Sequence, residues 1–188
     1  MEAWYADLHK IQEHLLTVDP ELHVVFTVVN ASGFQLHTVI KQPYPALIGA
    51  IIGQKVRYTQ ARQDRARLYQ KFGPNFTPEQ LSGQDFSWLG DFRAHAITAV
   101  TAYIQAQRPD LSTEAGIRSL TVVPGIGQWT VETTLLTCLM SWDIFPPGDK
   151  FLQARMRRLY GPSVNIPEVT ARWAPYRSVV TWYLWRWF

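Results

Sequence analysis

Two glycines separated by one residue interrupt a helical pattern in the segment Pro124-Gly125-Ile126-Gly127. One amphipathic helical pattern runs into this segment from Leu120, and a second begins directly after it at Gln128. Glycine tolerates a positive φ and the close approach of another chain segment, so the spacing predicts a very tight turn between two helices. Ile126, between the glycines, is predicted to fill the groove between these helices.

The start of the second helix also has a chemical consequence. Its first backbone N–H groups have no acceptor inside the helix, and they lie at the positive end of its dipole. Such a site can bind a phosphate without a charged side chain. A glycine pair between helices also occurs as a purely structural turn, so the motif alone leaves both interpretations open. A dinucleotide-binding loop is disfavoured, because no strand is predicted before the glycines.

The rest of the chain predicts an all-α, mainly helical fold. Apolar spacing and end signals predict helices at about 3–17, 43–52, 56–72, 77–80, 91–105, 112–123, 127–140, 149–160, 166–173 and 175–187. The segment 22–41 is ambiguous, because its apolar residues alternate, so a β-hairpin and a long connection both remain open. The length predicts one compact unit, with approximate lobes 43–110 and 1–42 plus 111–188.

The composition excludes several classes of protein. A single cysteine, Cys138, excludes an internal disulfide, a cysteine-based zinc site and a four-cysteine iron–sulfur cluster. No apolar run approaches the ~20 residues that span a bilayer. The segment Met1–Leu8 lacks the basic-then-apolar order of a signal peptide. We therefore expect a protein that is neither secreted nor bound to a membrane.

Basic residues and tryptophans are concentrated in the same part of the chain. Residues 149–188 contain seven bases and two acids, a balance of +5, whereas the whole chain carries +3, so the remainder sums to −2. Six of the eight tryptophans lie from Trp129 onward. Arginine beside exposed aromatic rings can bind phosphates and stack on bases. A solvated helix face over an aromatic core has the same composition, so this observation alone does not decide the function.

The glycine turn resembles the helix–hairpin–helix of the base-excision DNA glycosylases, whose hairpin binds a DNA phosphate. In that superfamily a Gly/Pro-rich loop follows the second helix and ends in a catalytic aspartate. Here Phe145-Pro146-Pro147-Gly148-Asp149 ends 22 residues after Gly127. Three further segments are similar to family motifs, in order within residues 43–188: Ile51–Val56, Trp88–Ala94, and Arg172–Ser178 followed by Trp185. The last resembles the C-terminal Trp-x-Pro-Trp-Arg-Ser pattern of the 3-methyladenine DNA glycosylase II branch.

The resemblance implies a two-lobed helical fold with the active site in the cleft between the lobes, without the N-terminal β-rich domain of the best-known members. It makes Asp149 the catalytic residue. A carboxylate fixed at a helix N-terminus can stabilise the positive charge that develops on the sugar as the base leaves, and can orient a water. Where backbone-cutting relatives carry a lysine, this chain has Trp129, which implies a monofunctional enzyme with water as the nucleophile.

The resemblance also assigns residues that bind the substrate. For the pocket of the flipped base it gives Trp129, Trp185, Gln54, Thr133 and Tyr176. For contacts with DNA it gives Gly125, Ile126, Gly127, Gln128, Thr130, Lys55, Arg57, Lys150 and Arg177. The hairpin carbonyls near Val122 and Gly125 are a candidate site for a monovalent cation, while no side-chain metal site and no cofactor is expected.

Together these inferences predict a monomeric DNA glycosylase that excises alkylated purines, made cationic by methylation at N3 or N7, from damaged double-stranded DNA. Two alternatives remain open: a non-catalytic helix–hairpin–helix DNA-binding module, and a glycosylase for deaminated or oxidised bases. Such a protein is expected in the cytoplasm or nucleoid of a prokaryote, or in the nucleus of a eukaryote.

Overall fold

The computed structural model describes residues 7–36, 41–138 and 141–188, and within these ranges the chain forms eleven α-helices and no strand. The helices are α1 (Leu8–Val18), α2 (Leu22–Ala31), α3 (Pro43–Ile52), α4 (Tyr58–Phe72), α5 (Pro78–Leu81), α6 (Asp91–Gln107), α7 (Glu114–Ser119), α8 (Gln128–Cys138), α9 (Lys150–Tyr160), α10 (Ile166–Ala171) and α11 (Arg177–Arg186). The predicted all-α fold is confirmed for this part of the chain.

Helix α2 corrects the ambiguous prediction for residues 22–41. Its sequence is rich in β-branched residues, which favours a strand when local preference alone is considered. However, Leu22, Val25, Phe26 and Val29 share one helical face, and all four are buried. Burial of this face therefore outweighs the local preference, and the first 36 residues contribute a second helix rather than a connection. The remainder of the ambiguous segment, 37–40, lies outside the described residues.

The described residues form two units: a central unit, 41–138, and a terminal unit, 7–36 with 141–188. This division differs from the predicted lobes, which grouped the glycine turn and α8 with the terminal helices. Helix α8 packs along α3, and the Lys41 N–H donates to the Thr137 carbonyl at 2.8 Å. These contacts place α8 and the turn before it in the central unit.

Aromatic residues build the core of the terminal unit. Trp173 is fully buried, and Trp182 and Trp187 are buried as well. The Trp173 indole N–H and the Tyr160 hydroxyl both donate to one carboxylate oxygen of Asp19, at 2.8 and 2.7 Å. Asp19 ends α1, so these bonds join the first helix to the last part of the chain.

A buried ion pair organises the central unit. The Arg93 guanidinium lies 2.9 Å from the Asp64 carboxylate, and both side chains are buried. Arg93 also donates to the carbonyls of Leu89 and Ile52, at 2.8 and 3.0 Å. One side chain therefore connects α6 with α4 and with the end of α3. None of the described helices is both long and apolar enough to cross a lipid bilayer.

We expect Asp64→Ala to lower the free energy of unfolding by about 3 kcal/mol, because it leaves the buried Arg93 charge without its partner. Glu114→Ala provides the control, since it breaks the solvent-exposed Arg118–Glu114 pair and should cost less than about 1 kcal/mol. Urea unfolding followed by circular dichroism measures both values. Equal losses for the two variants would show that the buried pair does not organise the unit.

Candidate active site

The glycine turn, the hairpin 123–127, packs directly against α6. The Ile126 N–H donates to the Val123 carbonyl at 3.0 Å, and the Ile126 side chain is buried, as predicted. Gly125 has φ +87°, and a β-carbon there would lie 2.7 Å from Cβ of Ala96. A β-carbon at Gly127, by contrast, would meet no atom within 4 Å. Packing therefore requires glycine at 125 but not at 127, where the hairpin opens toward free space.

Gln54 holds this hairpin in place. Its side-chain amide donates to the Gly125 carbonyl at 2.9 Å and to the Thr130 hydroxyl at 2.7 Å. The side chain of Gln54 is only 9% exposed. Gln54 was predicted to line the base pocket and Thr130 to contact DNA, but Thr130 is buried as well. The structure gives both residues a supporting position behind the hairpin.

The same bond bears on the candidate cation site. The Gly125 carbonyl accepts the N–H of Gln54, and a carbonyl oxygen has a second lone pair that can bind another group. The cation site at the hairpin carbonyls therefore stays a prediction.

Two predicted pocket residues lie on α8. The Trp129 ring lies over Gly53, where a β-carbon would stand 3.6 Å from Cη2 of the indole. Thr133 follows one turn later and is half-buried, and its hydroxyl has no hydrogen-bond partner among the described residues. The indole of Trp129 therefore lies beside the end of α3, at a distance that a β-carbon at position 53 would also tolerate.

Gln128, the first residue of α8, is exposed, but its amide is not free of other bonds. It donates to the carboxylate of Glu132 at 2.8 Å. Glu132 is buried, and this burial raises the pKa of its carboxyl. The side-chain amide of Gln128, which was predicted to contact DNA, is therefore oriented by Glu132.

Lys55 and Arg57, both predicted to contact DNA, lie on the exposed surface of the central unit. Lys55 has φ +56°, a left-handed conformation that is unusual for a residue other than glycine. Its ammonium group lies 4.1 Å from the centre of the Phe92 ring, and Phe92 is 48% exposed. Arg57 directly precedes α4.

In the terminal unit, Asp149 caps the start of α9. One carboxylate oxygen accepts the N–H groups of Phe151 and Leu152 at 2.8 and 3.1 Å, and the side chain is only 8% exposed. The Trp185 indole N–H lies 3.3 Å from the other oxygen. The structure thus brings together the predicted catalytic carboxylate and one predicted pocket residue. Lys150, the next residue, is exposed.

The last two predicted residues of this unit have partners within it. Tyr176 packs edge-on against His14 and Trp142, with ring centres 5.7 and 6.0 Å away. Arg177 forms a two-point ion pair with Asp143, at 2.6 and 2.7 Å, and its guanidinium holds the pKa of that carboxyl below its usual value. Of the four basic residues that were predicted to contact DNA, Arg177 therefore has its charge balanced within the protein.

Sequence reasoning did not single out Ala96, Asp143, Glu132 or Phe92. Ala96, Asp143 and Phe92 each contact a predicted residue that is distant along the chain. Glu132 instead lies one turn after Gln128 on the same helix, and none of the four carries a motif of its own. Only Phe92 had a signal, because it lies within the family-like segment Trp88–Ala94.

Comparison with known proteins supports the family resemblance, although no family model matches the chain. DNA-3-methyladenine glycosylase 1 of Schizosaccharomyces pombe is 28% identical over 169 residues, covering 78% of this chain and 72% of that protein. The solved structure of the 3-methyladenine DNA glycosylase of S. pombe in complex with abasic DNA matches with a TM-score of 0.75 and 23% identity, over 94% of this chain and 95% of that chain.

An 8-oxoguanine glycosylase/lyase of Clostridium acetobutylicum, solved with DNA, has the same fold, with a TM-score of 0.78 at 18% identity over 98% of this chain and 70% of that chain. The fold is therefore shared by enzymes named for different bases, whereas the sequence relatives are named for 3-methyladenine or alkylated bases. These likenesses show that the chain is a homologue of the 3-methyladenine DNA glycosylases and has the fold of the helix–hairpin–helix DNA glycosylases.

Proposed function

We propose that this protein is a monofunctional DNA glycosylase that flips alkylated purines out of double-stranded DNA and hydrolyses their N-glycosidic bond with the help of Asp149. The environment of Asp149 carries the proposal. This carboxylate is nearly buried, yet two backbone N–H groups and the Trp185 indole N–H surround its oxygens. A residue that served only as a helix cap would need the two backbone bonds alone.

The reaction requires a fixed negative charge. Cleavage of the bond between base and deoxyribose leaves positive charge on the sugar, as in the oxocarbenium-like state of glycoside hydrolysis. A carboxylate held in place stabilises this charge without reorganising, and it can orient or deprotonate the attacking water. The two backbone N–H bonds at the N-terminus of α9 hold this carboxylate in a fixed position.

An alkylated purine suits such an enzyme. Methylation at N3 or N7 makes the base cationic and weakens its bond to the sugar, so the base leaves without a proton from the protein. Aromatic ring faces attract a cationic base, and we assign this role to Trp185, whose indole N–H lies beside Asp149. The S. pombe relative is named for 3-methyladenine, whereas the likeness to the oxidised-base enzyme rests on fold alone.

The residue at position 129, the second after the hairpin 123–127, indicates hydrolysis by water. Enzymes that also cut the backbone use an amine to form a Schiff base with the sugar. Trp129 stands where the family places that lysine, and no lysine occurs between Lys71 and Lys150. We therefore assign no lyase activity to this chain. The non-catalytic alternative is disfavoured, because a DNA-binding module would need Asp149 only as a helix cap, and that role does not require the third N–H group, from Trp185.

The test is release of free base from defined duplexes that carry 3-methyladenine, 7-methylguanine, hypoxanthine or 1,N6-ethenoadenine. We expect the two methylated bases to be released fastest, with the backbone intact until alkali is added and no adduct trapped by borohydride. Asp149→Asn should abolish release of every base, because it removes the charge, while it retains binding to DNA with an abasic site. Full activity of this variant, or a trapped adduct, would contradict the proposed mechanism.

Trp185→Phe tests the bond to Asp149 separately from the aromatic face. It keeps a ring but removes the N–H that faces the carboxylate, a charge-assisted bond worth about 1.5–3 kcal/mol. We expect single-turnover release to slow by about 10- to 100-fold, with unchanged affinity for abasic DNA and a melting temperature that falls by only a few degrees. If the rate equals that of the wild type, the indole N–H does not position the carboxylate.

Gly127→Ala and Gly125→Ala together test the hairpin as a phosphate site. A methyl group at 127 meets open space, so the variant should fold normally, but the group would stand where a phosphate approaches the backbone. We expect at least about tenfold weaker DNA binding. Gly125→Ala should instead lower the melting temperature, because its methyl group collides with Ala96. Undiminished DNA binding by a stable Gly127→Ala protein would exclude the hairpin as the phosphate site.

A further inference from the structure

An arginine of α9 lies between two exposed aromatic rings of the terminal unit. The guanidinium carbon of Arg155 is 4.5 Å from the centre of the Phe151 ring and 5.4 Å from the centre of the Phe188 ring. Phe151 is 42% exposed and Phe188 is 73% exposed. Because an aromatic ring stabilises a fold by the area that it buries, rings this open contribute little to the stability of the unit. We call these three residues the aromatic–arginine cluster.

The cluster is held in place from both sides. Phe151 precedes Arg155 by one helical turn, so the two side chains share one face of α9. Phe188 directly follows Trp187, which is buried and whose N–H donates to the Tyr183 carbonyl at 2.9 Å. The rings are therefore exposed although the backbone that carries them is fixed.

The positive charge of the cluster is not balanced by the residues that the structure describes. Helix α9 carries four bases and no acid, and Arg155, Arg157 and Arg158 form no ion pair with another described residue. The Nε of Arg155 is buried and has no hydrogen-bond partner among the same residues. Burial and the nearby charge of Arg158 lower the pKa of the Arg155 guanidinium, as expected for a cation without an anionic partner. A bound anion would supply that partner.

Single-stranded DNA fits the cluster better than other polyanions do. Proteins bind single strands by stacking bases on aromatic rings while basic side chains bind the phosphates. Inside a duplex the base faces are already stacked on one another, so the exposed rings would find no face to contact. An acidic peptide could pair with the guanidinium groups, but it would not use the rings. RNA also presents 2′-hydroxyl groups, and the phenyl rings and guanidinium groups include no acceptor for their hydrogens.

We propose that the aromatic–arginine cluster binds single-stranded DNA, with a base stacked on the exposed face of Phe188 and neighbouring phosphates bound by Arg155 and Arg158. Phe151 supports the guanidinium of Arg155 from the other side. Arg158 follows within one helical turn and stacks on Trp187, 4.6 Å from the ring centre, so the two guanidinium groups can bind successive phosphates. The choice of DNA rests on the proposed function, whereas the stacking and the charge do not. The site requires no damaged base.

The first experiment measures, by fluorescence anisotropy, the binding of an undamaged oligothymidylate of about eight nucleotides and of a base-free chain of tetrahydrofuran sites with the same number of phosphates. We expect the wild type to bind the oligothymidylate at least about fivefold more tightly, because only that strand has bases to stack. Phe188→Ala should lose this preference but keep its affinity for the base-free chain, whereas Phe188→Trp should retain the preference. The exposure of Phe188 implies an unchanged melting temperature for both variants.

The second experiment measures how the affinity for the oligothymidylate depends on salt. Arg155→Gln should reduce the slope of log K against log salt by about 0.7, the value for one phosphate of a single strand. Arg157→Gln is the matched control, because it removes the same charge from the same helix at an exposed position on another face. Its slope should stay close to that of the wild type. Equal changes in the two variants would show that only the net charge of α9 matters, and would overturn the site.

Further outcomes decide the ligand and separate this inference from the proposed function. Phe188→Ala should leave unchanged the affinity for an undamaged duplex; an equal loss on duplex and single strand would contradict a single-strand site. Tighter, Phe188-dependent binding of oligouridylate or of a polyglutamate peptide would assign the cluster to RNA or to an acidic protein, and the proposal would be wrong. Phe188-dependent binding of oligothymidylate without base release by the wild type would support this site and contradict the proposed catalysis. Base release together with binding that is insensitive to Phe188→Ala would do the reverse.

Discussion

The close approach of Gly125 to Ala96 is the constraint on which the central unit depends. The hairpin lies so near α6 that no β-carbon fits between them, and the Gln54 amide fixes the same glycine from the side of α3. Helices α3, α6 and α8 therefore meet at one loop, and its position determines where the first turn of α8 presents its N–H groups. Gln54 was predicted to line the base pocket and Thr130 to contact DNA. In the structure both residues form hydrogen bonds that stabilise this arrangement. A phosphate site made of backbone needs such support, because backbone groups cannot adjust by changing rotamer.

Several arginine side chains stack on aromatic rings, and these contacts account for some of the eight tryptophans. The guanidinium groups of Arg67 and Arg158 lie 4.4 and 4.6 Å from the rings of Trp88 and Trp187. Stacking of this kind orders a long cationic side chain and leaves its N–H edge available to water or to an anion. Trp173 serves the core instead, and Trp185 donates to Asp149. The tryptophans thus divide among core, surface and candidate active site rather than forming one pocket.

Local signals in the sequence were sufficient to predict most helices, the hairpin and the capping role of Asp149. The ends of many of these helices carry a proline, a glycine or a capping side chain, and each of these residues affects the backbone only within a few positions of itself. Helix α2 was missed because its valines favour a strand locally, and only packing on the terminal core decides the matter. The partners of Gln54 and Arg177 could not be predicted, since Gly125 and Asp143 are 71 and 34 residues away along the chain. Hydrogen bonds of this range depend on the completed fold.

We propose that a nearly buried carboxylate at the start of α9 drives hydrolytic release of alkylated purines. The most direct measurement is mass spectrometry of the small molecules that the wild-type protein frees from genomic DNA treated with a methylating agent. We expect free 3-methyladenine and 7-methylguanine, in amounts that increase with time and with enzyme. Free bases at the level of spontaneous loss, or release only of oxidised or deaminated bases, would contradict this function.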